Sequence, residues 1–169
     1  MRSTDILIDG FGRVWENVHA VLDGITSEQL VERVAPEANT IAWLIWHISR
    51  VQDAQVADVA GVAGADEVWT SGGFYDRFAL PFDRSASGYG QSPDEVAQVI
   101  VEPGLLAEYH DAAHAATVGY LRTLSDDDLD RVIDENWDPP VTLGVRLVSV
   151  LDDDAQHIGQ AAYIRGLVG

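Results

Sequence analysis

The stretch Leu143-Gly144-Val145-Arg146-Leu147-Val148-Ser149-Val150-Leu151-Asp152-Asp153-Asp154-Ala155-Gln156-His157-Ile158-Gly159-Gln160-Ala161-Ala162-Tyr163-Ile164 decides the fold. Leu143, Leu147, Val150, Asp153, His157, Gln160, Ala161 and Ile164 recur at steps of three and four, the period that stacks side chains on one face of an α-helix. The helix begins at about Thr142, just after Pro139-Pro140, which cannot lie inside one, and the chain ends with Gly166 and Gly169. Asp153 interrupts the stripe with a charge: a carboxylate at a core-facing position is costly unless it is paired or holds a cation, so Asp153 calls for a partner. His157, four residues on, projects from the same face and can grip the same ion.

Working outward, the same periodicity returns three times. From about Thr4 to Gly24, Ile6, Leu7, Phe11, Val14, Trp15, Val18, Val21 and Leu22 form one stripe. Thr26-Ser27-Glu28-Gln29-Leu30 reads as a capped short turn, and Ala35-Pro36-Glu37 breaks the chain before a second helix that starts near Asn39 or Thr40. Trp43, Leu44, His47, Ile48, Val51, Ala54 and Gln55 share a face of that helix, with Arg50 and Asp53 directed away from it. Ser92-Pro93-Asp94-Glu95 has the cap, proline and acidic first turn of a third helix, which pauses at Pro103-Gly104 and resumes to Leu124. Its expected face is Leu105, Tyr109, Ala112, Ala116, Tyr120 and Leu124. Residues 61–93, rich in Gly, Ser, Pro and aromatics, form a long connection, which in a helical bundle lets two consecutive helices run parallel. The expectation is an all-α, four-helix bundle in a single domain over residues 1–169, with a crossover between helices 2 and 3.

Composition narrows the function. With no cysteine there is no disulfide, no thiolate metal site and no cysteine nucleophile, so any metal sits on His, Asp or Glu. A formal charge of −18, from 10 basic residues against 28 acidic, repels phosphate backbones and anionic lipid, so neither nucleic acid nor a membrane surface is an expected partner. No apolar run approaches the roughly 20 residues of a membrane span, and the N-terminus lacks the apolar core of a signal peptide. A cytoplasmic location is the expectation.

His47, set among Trp and Ile, is the third candidate ligand beside Asp153 and His157, and two ligands from one helix with one from another leave an open position on the ion. The alternative is a hydrogen-bonded core histidine, with Asp153 part of a solvated run Asp152-Asp153-Asp154; for an isolated Asp-x-x-x-His that bland reading prevails. His110 and His114 form a second such pair, read as a solvated face because Glu108, Tyr109 and Asp111 surround it and no third ligand is assignable. His19 stands alone at the edge of helix 1. Trp43 and Trp46 read as core in preference to pocket wall, and Gly72-Gly73-Phe74-Tyr75 with Tyr89 as candidate lid residues. Arg146 and Arg165 can pair with acids or with an anionic ligand.

Across nearly its whole length the chain resembles the DinB-like superfamily. The resemblance is carried by Trp43-Leu44-Ile45-Trp46-His47-Ile48-Ser49-Arg50 with Asp53, and by Thr142 to Arg146 followed by Asp153-x-x-x-His157-x-Gly159-Gln160-x-x-Tyr163-Ile164-Arg165-Gly166. It is nearest to the uncharacterised branch and to the mycothiol-dependent branch that includes maleylpyruvate isomerase-like members. The resemblance implies an up-down-down-up bundle and a divalent metal on His47, Asp153 and His157, although many members carry His or Glu where this chain has Asp153. Zinc is the first expectation, with nickel or iron as other fits. The resemblance further implies a thiol S-transferase that uses mycothiol or a similar thiol on a small-molecule electrophile, and a homodimer. A metal-dependent hydrolase and a non-catalytic, metal-binding or dimerising stress-related bundle stay open beside it.

Overall fold

A computed structural model describes residues 1–61 and 66–169 of the chain. In order these form α1 (Ser3–Leu22), α2 (Ser27–Val31), α3 (Ile41–Ala60), α4 (Val68–Ser71), α5 (Phe74–Phe78), α6 (Pro93–Val96), α7 (Pro103–Thr123), a 3-10 turn at Asp127–Asp130, the antiparallel strands β1 (Val132–Asp134) and β2 (Val141–Thr142), and α8 (Leu143–Val168). The architecture is all-α: α3 packs against α7 and α8, and α1 packs against the same two. Ser49 meets His110 and Val59 meets Tyr120, so contacts advance in the same sense along α3 and α7.

The helix starts follow from local hydrogen bonding. Thr26 and Gln29 cap α2 reciprocally, and the hydroxyls of Thr40 and Thr142 accept from Trp43 N–H and Val145 N–H to open α3 and α8. Ser92 and Glu95 make the predicted capping box, but it opens only the short α6; the long helix starts anew at Pro103. The predicted third helix is therefore two. The crossover also holds α4 and α5, whose Trp69, Phe74 and Phe78 enter the core, while its residues 62–65 lie outside the described ones. The loop from Asn136 to Pro140 is flanked by β1 and β2, strands too short to leave a periodic signal.

Burial corrects the faces of three helices. In α7 the buried set is Leu106, Tyr109, His110, Ala113, Thr117 and Leu121, rotated from the expected stripe. In α8 the core position belongs to Asp154, fully buried, and Asp153 lies at the edge. In α3 both Arg50 and Asp53, expected to point away, are buried. These polar groups form a layer. One apolar cluster takes Val14, Val18, Ile45, Ile48, Leu106, Ile158 and Ala161; a second takes Leu7, Phe11, Val56, Leu121, Leu147 and Val150. Between them in the order of each helix stand Ser49, Arg50, Gln52 and Asp53 on α3, His110 and Thr117 on α7, and Asp154 on α8. Each fully buried aliphatic or aromatic side chain in the two clusters contributes roughly 1.5–3 kcal/mol.

Candidate metal centre

At the level of this layer α3 presents His47 to α8, and one turn of α8 presents Asp153 and His157 in return. One donor atom from each of the three lies within 4.8 Å of the others, and among the described residues no other such trio of His, Asp or Glu forms. His47 Nε2 is 3.6 Å from Asp153 Oδ2. That is too long for a hydrogen bond, yet close to the separation of roughly 3.4 Å between two donors that each sit about 2.0–2.1 Å from a tetrahedral ion. Asp153 Oδ2 is buried and has no hydrogen-bond partner, an orphaned acceptor that a cation would satisfy.

The tautomers follow from the acceptors. His47 Nδ1 lies 2.5 Å from the carbonyl of Ser87, and His157 Nδ1 lies 2.8 Å from that of Asp153. A carbonyl oxygen can only accept, so both rings carry the proton on Nδ1 and leave an Nε2 lone pair for an ion. Ligating histidines are held in this way by a partner on the other nitrogen. Burial holds His47 below the ordinary imidazole pKa, and the neighbouring His157 adds to the effect, against opposing pulls from the Ser87 carbonyl and Asp153. The neutral ring is the form that binds metal.

Trp43 stacks flat on His47, ring centroids 4.6 Å apart at 9°, while Trp46 is buried in the core. Trp43 is thus both core and wall of the site. Above it, Gly88 has φ +95°, and a Cβ there would come 2.8 Å from His47 Nδ1 and 3.0 Å from Trp43. Only glycine allows this backbone to lie on the imidazole. Tyr89 is 93% exposed, so the residues that cover His47 are Ser87 and Gly88, not the expected aromatics. Neither offered a side-chain signal in the sequence.

The other candidates separate. His110 is not on a solvated face but fully buried, its Nδ1 3.1 Å from Ser49 Oγ, and His114 is half-buried against Trp15. Glu108 and Asp111 beside them are exposed, while Tyr109 is buried with His110. His19 sits at the edge of α1, bonded to Asp111 at 2.8 Å. Arg146 pairs with Gln55 and Asp134, and Arg165 reaches the Asp23 carbonyl, so both serve contacts within the fold.

An all-α protein in which two imidazoles and a carboxylate from two long helices converge on one point fits the DinB-like class. Within it, the chain belongs to the mycothiol S-transferase family, whose model matches residues 7–169. It is also similar to a solved structure described as the conserved protein of locus from Enterococcus faecalis, at 36% identity and TM-score 0.91, over 99% of this chain and 98% of that one. No curated protein matches. Among the described residues no helix is long and apolar enough to cross a membrane.

Proposed function

We propose that the chain is a metal-dependent thiol S-transferase, with His47, Asp153 and His157 holding one divalent ion, zinc in the first place, and mycothiol or a similar small thiol as cosubstrate. The observation that carries the reading is the convergence of two imidazoles on a carboxylate that keeps one buried oxygen without a partner. When bound, such an ion supplies the positive charge that lowers the pKa of a thiol at its open position.

The chain's own residues do the rest. Ser87 and the Asp153 carbonyl keep the imidazoles in the ligating tautomer. Asp153 and His157 side chains are 35% and 21% exposed against 6% for His47, so the centre opens on the α8 side, where a thiol and an electrophile can enter. Trp43 covers one face of the inner imidazole, and its ring also lies 6.3 Å from that of His157. Because the chain has no cysteine, the sulfur must come from the cosubstrate, and a cytoplasmic setting would keep such a thiol reduced. The thiol gives up its proton to solvent at the open side, its sulfur bonds to the electrophilic carbon, and the leaving group departs with the electron pair of the broken bond.

The test is conjugation of monochlorobimane to mycothiol, glutathione or cysteine by protein loaded with zinc, nickel or iron, with His157→Ala alongside. The reading expects about one ion per chain, turnover that needs both ion and thiol, and loss of both properties in the variant. Thiol-independent hydrolysis of ester substrates, or a native protein that takes up no ion, would overturn it.

A further inference from the structure

We propose that Arg50 is a positioning residue of the metal centre, holding the strap of residues 86–88 whose Ser87 carbonyl orients His47; this rests on the metal reading above. His47 and Arg50 are three residues apart on α3 and meet two consecutive carbonyls of the strap. Arg50 Nε donates to the Ala86 carbonyl at 3.1 Å, and His47 Nδ1 donates to the Ser87 carbonyl at 2.5 Å. Gly88 then lies directly on the His47 ring. The strap is thus held by two donors of α3, and Arg50 is the one whose other N–H groups are spent on Glu67 and Tyr109.

Those duties make Arg50 rigid. Its side chain is 1% exposed; one terminal nitrogen reaches Glu67 at 3.2 Å and the other donates to the Tyr109 hydroxyl at 3.1 Å, while the guanidinium lies 5.1 Å over the Trp69 ring. Asp53, 3.6 Å from the same guanidinium, accepts from Tyr109 and from the backbone N–H groups of Val68 and Trp69, which ties the start of α4 to the same group. Apolar residues of equal volume at such a buried cluster often give an equally stable or more stable protein. What they cannot give is a fixed donor aimed at Ala86. A guanidinium does so because its fork spends separate N–H groups on Glu67, Tyr109 and the strap at once. A lysine ammonium is a single point and cannot reach all three.

Arg50→Lys keeps the buried positive charge and removes the fork. In a zinc titration against a competing chelator it should bind about 10–100-fold more weakly, the usual cost of losing a partner behind a ligating histidine. In the metal-free protein, the His47 imidazole NMR signals should move from the pure Nδ1–H tautomer towards a mixture, and the Nδ1 proton should exchange faster. A purely structural role would lower the melting temperature and move neither reading. A folded Arg50→Lys with native zinc affinity and native His47 tautomer overturns the proposal. If that variant does not fold, Tyr109→Phe, which takes one acceptor from Arg50, is measured in its place and the same two outcomes decide. Should the native protein bind no zinc, the metal reading fails, while the tautomer of His47 still decides the part Arg50 plays.

Discussion

Mild acidification should draw a stability cost from His110, and His110→Leu should remove that contribution. Ser49 Oγ donates its proton to the Ile45 carbonyl, so it can only accept from His110 Nδ1, which leaves Nε2 as a buried lone pair with no partner. Protonating it would bury an unpaired cation. Burial, with the nearby His114 adding to it, lowers the His110 pKa from 6.5 to about 3. The unfolded chain therefore takes up a proton near pH 6.5 that the folded chain refuses, so stability is full above that value and drains away below it, down to about pH 3. At about 1.36 kcal/mol per pH unit, acidification to about pH 5 costs about 2 kcal/mol. For a chain of this size that is a fall of roughly 4–8 °C in melting temperature. Asp154 titrates in the opposite sense, but it is common to both proteins and cancels in the difference. Urea unfolding of wild type and variant between about pH 7 and about pH 5 reads the difference. Parallel curves would refute the reasoning and show that His110 has a partner in the folded protein.

Gly88→Ala should destabilise the chain by about 1–3 kcal/mol, since φ +95° suits only glycine and the new methyl would press on His47 Nδ1. Zinc binding should weaken with it, and a titration showing native affinity would mean the strap is free to shift. Asp154→Leu should stabilise by about 1–3 kcal/mol at neutral pH, because it replaces a fully buried carboxyl whose two oxygens have no partner. Burial, then the charge of Asp153, raises the Asp154 pKa well above the ordinary carboxylate value. The wild type therefore loses stability as pH rises through that raised pKa, and the gain of the leucine variant should shrink in acid. Thermal melts in buffers from acid to neutral measure this, and a destabilised leucine variant would show that the carboxyl is satisfied.

The long helices were legible because each buries a broad stripe, and a stripe survives errors in any one position. Single positions did not survive so well. One residue of α-helix turns about 100°, so reading Asp153 in place of Asp154 as the core position moved a carboxylate from the rim into the interior. Arg50 and Asp53 read as outward-facing because charges usually are; their partners Glu67, Trp69 and Tyr109 come from the crossover and from α7, distant in sequence. His110 was hidden by its exposed charged neighbours Glu108 and Asp111. The trio His47, Asp153 and His157 was reached chiefly through resemblance, because an Asp-x-x-x-His spacing is common on helix surfaces. Ser87 and Gly88 act through a carbonyl and a missing methyl, and sequence reports neither.

Asp153 and Asp154 show how one sequence run serves two ends. The rim carboxylate keeps one oxygen buried and unpartnered towards His47, while the next residue carries its carboxyl group into the layer between the two apolar clusters. An apolar layer there would be the more stable choice, since buried polar groups that lack partners cost free energy. The layer nevertheless has a geometric consequence. Arg50, at its edge, is held by Tyr109 and by the crossover, and the crossover in turn carries the Ser87 carbonyl to His47. A bundle packed only with leucine and valine at this level would have no donor to fix a loop across its own face. The buried polar residues of α3 are therefore tied, through named hydrogen bonds, to the orientation of the His47 ring.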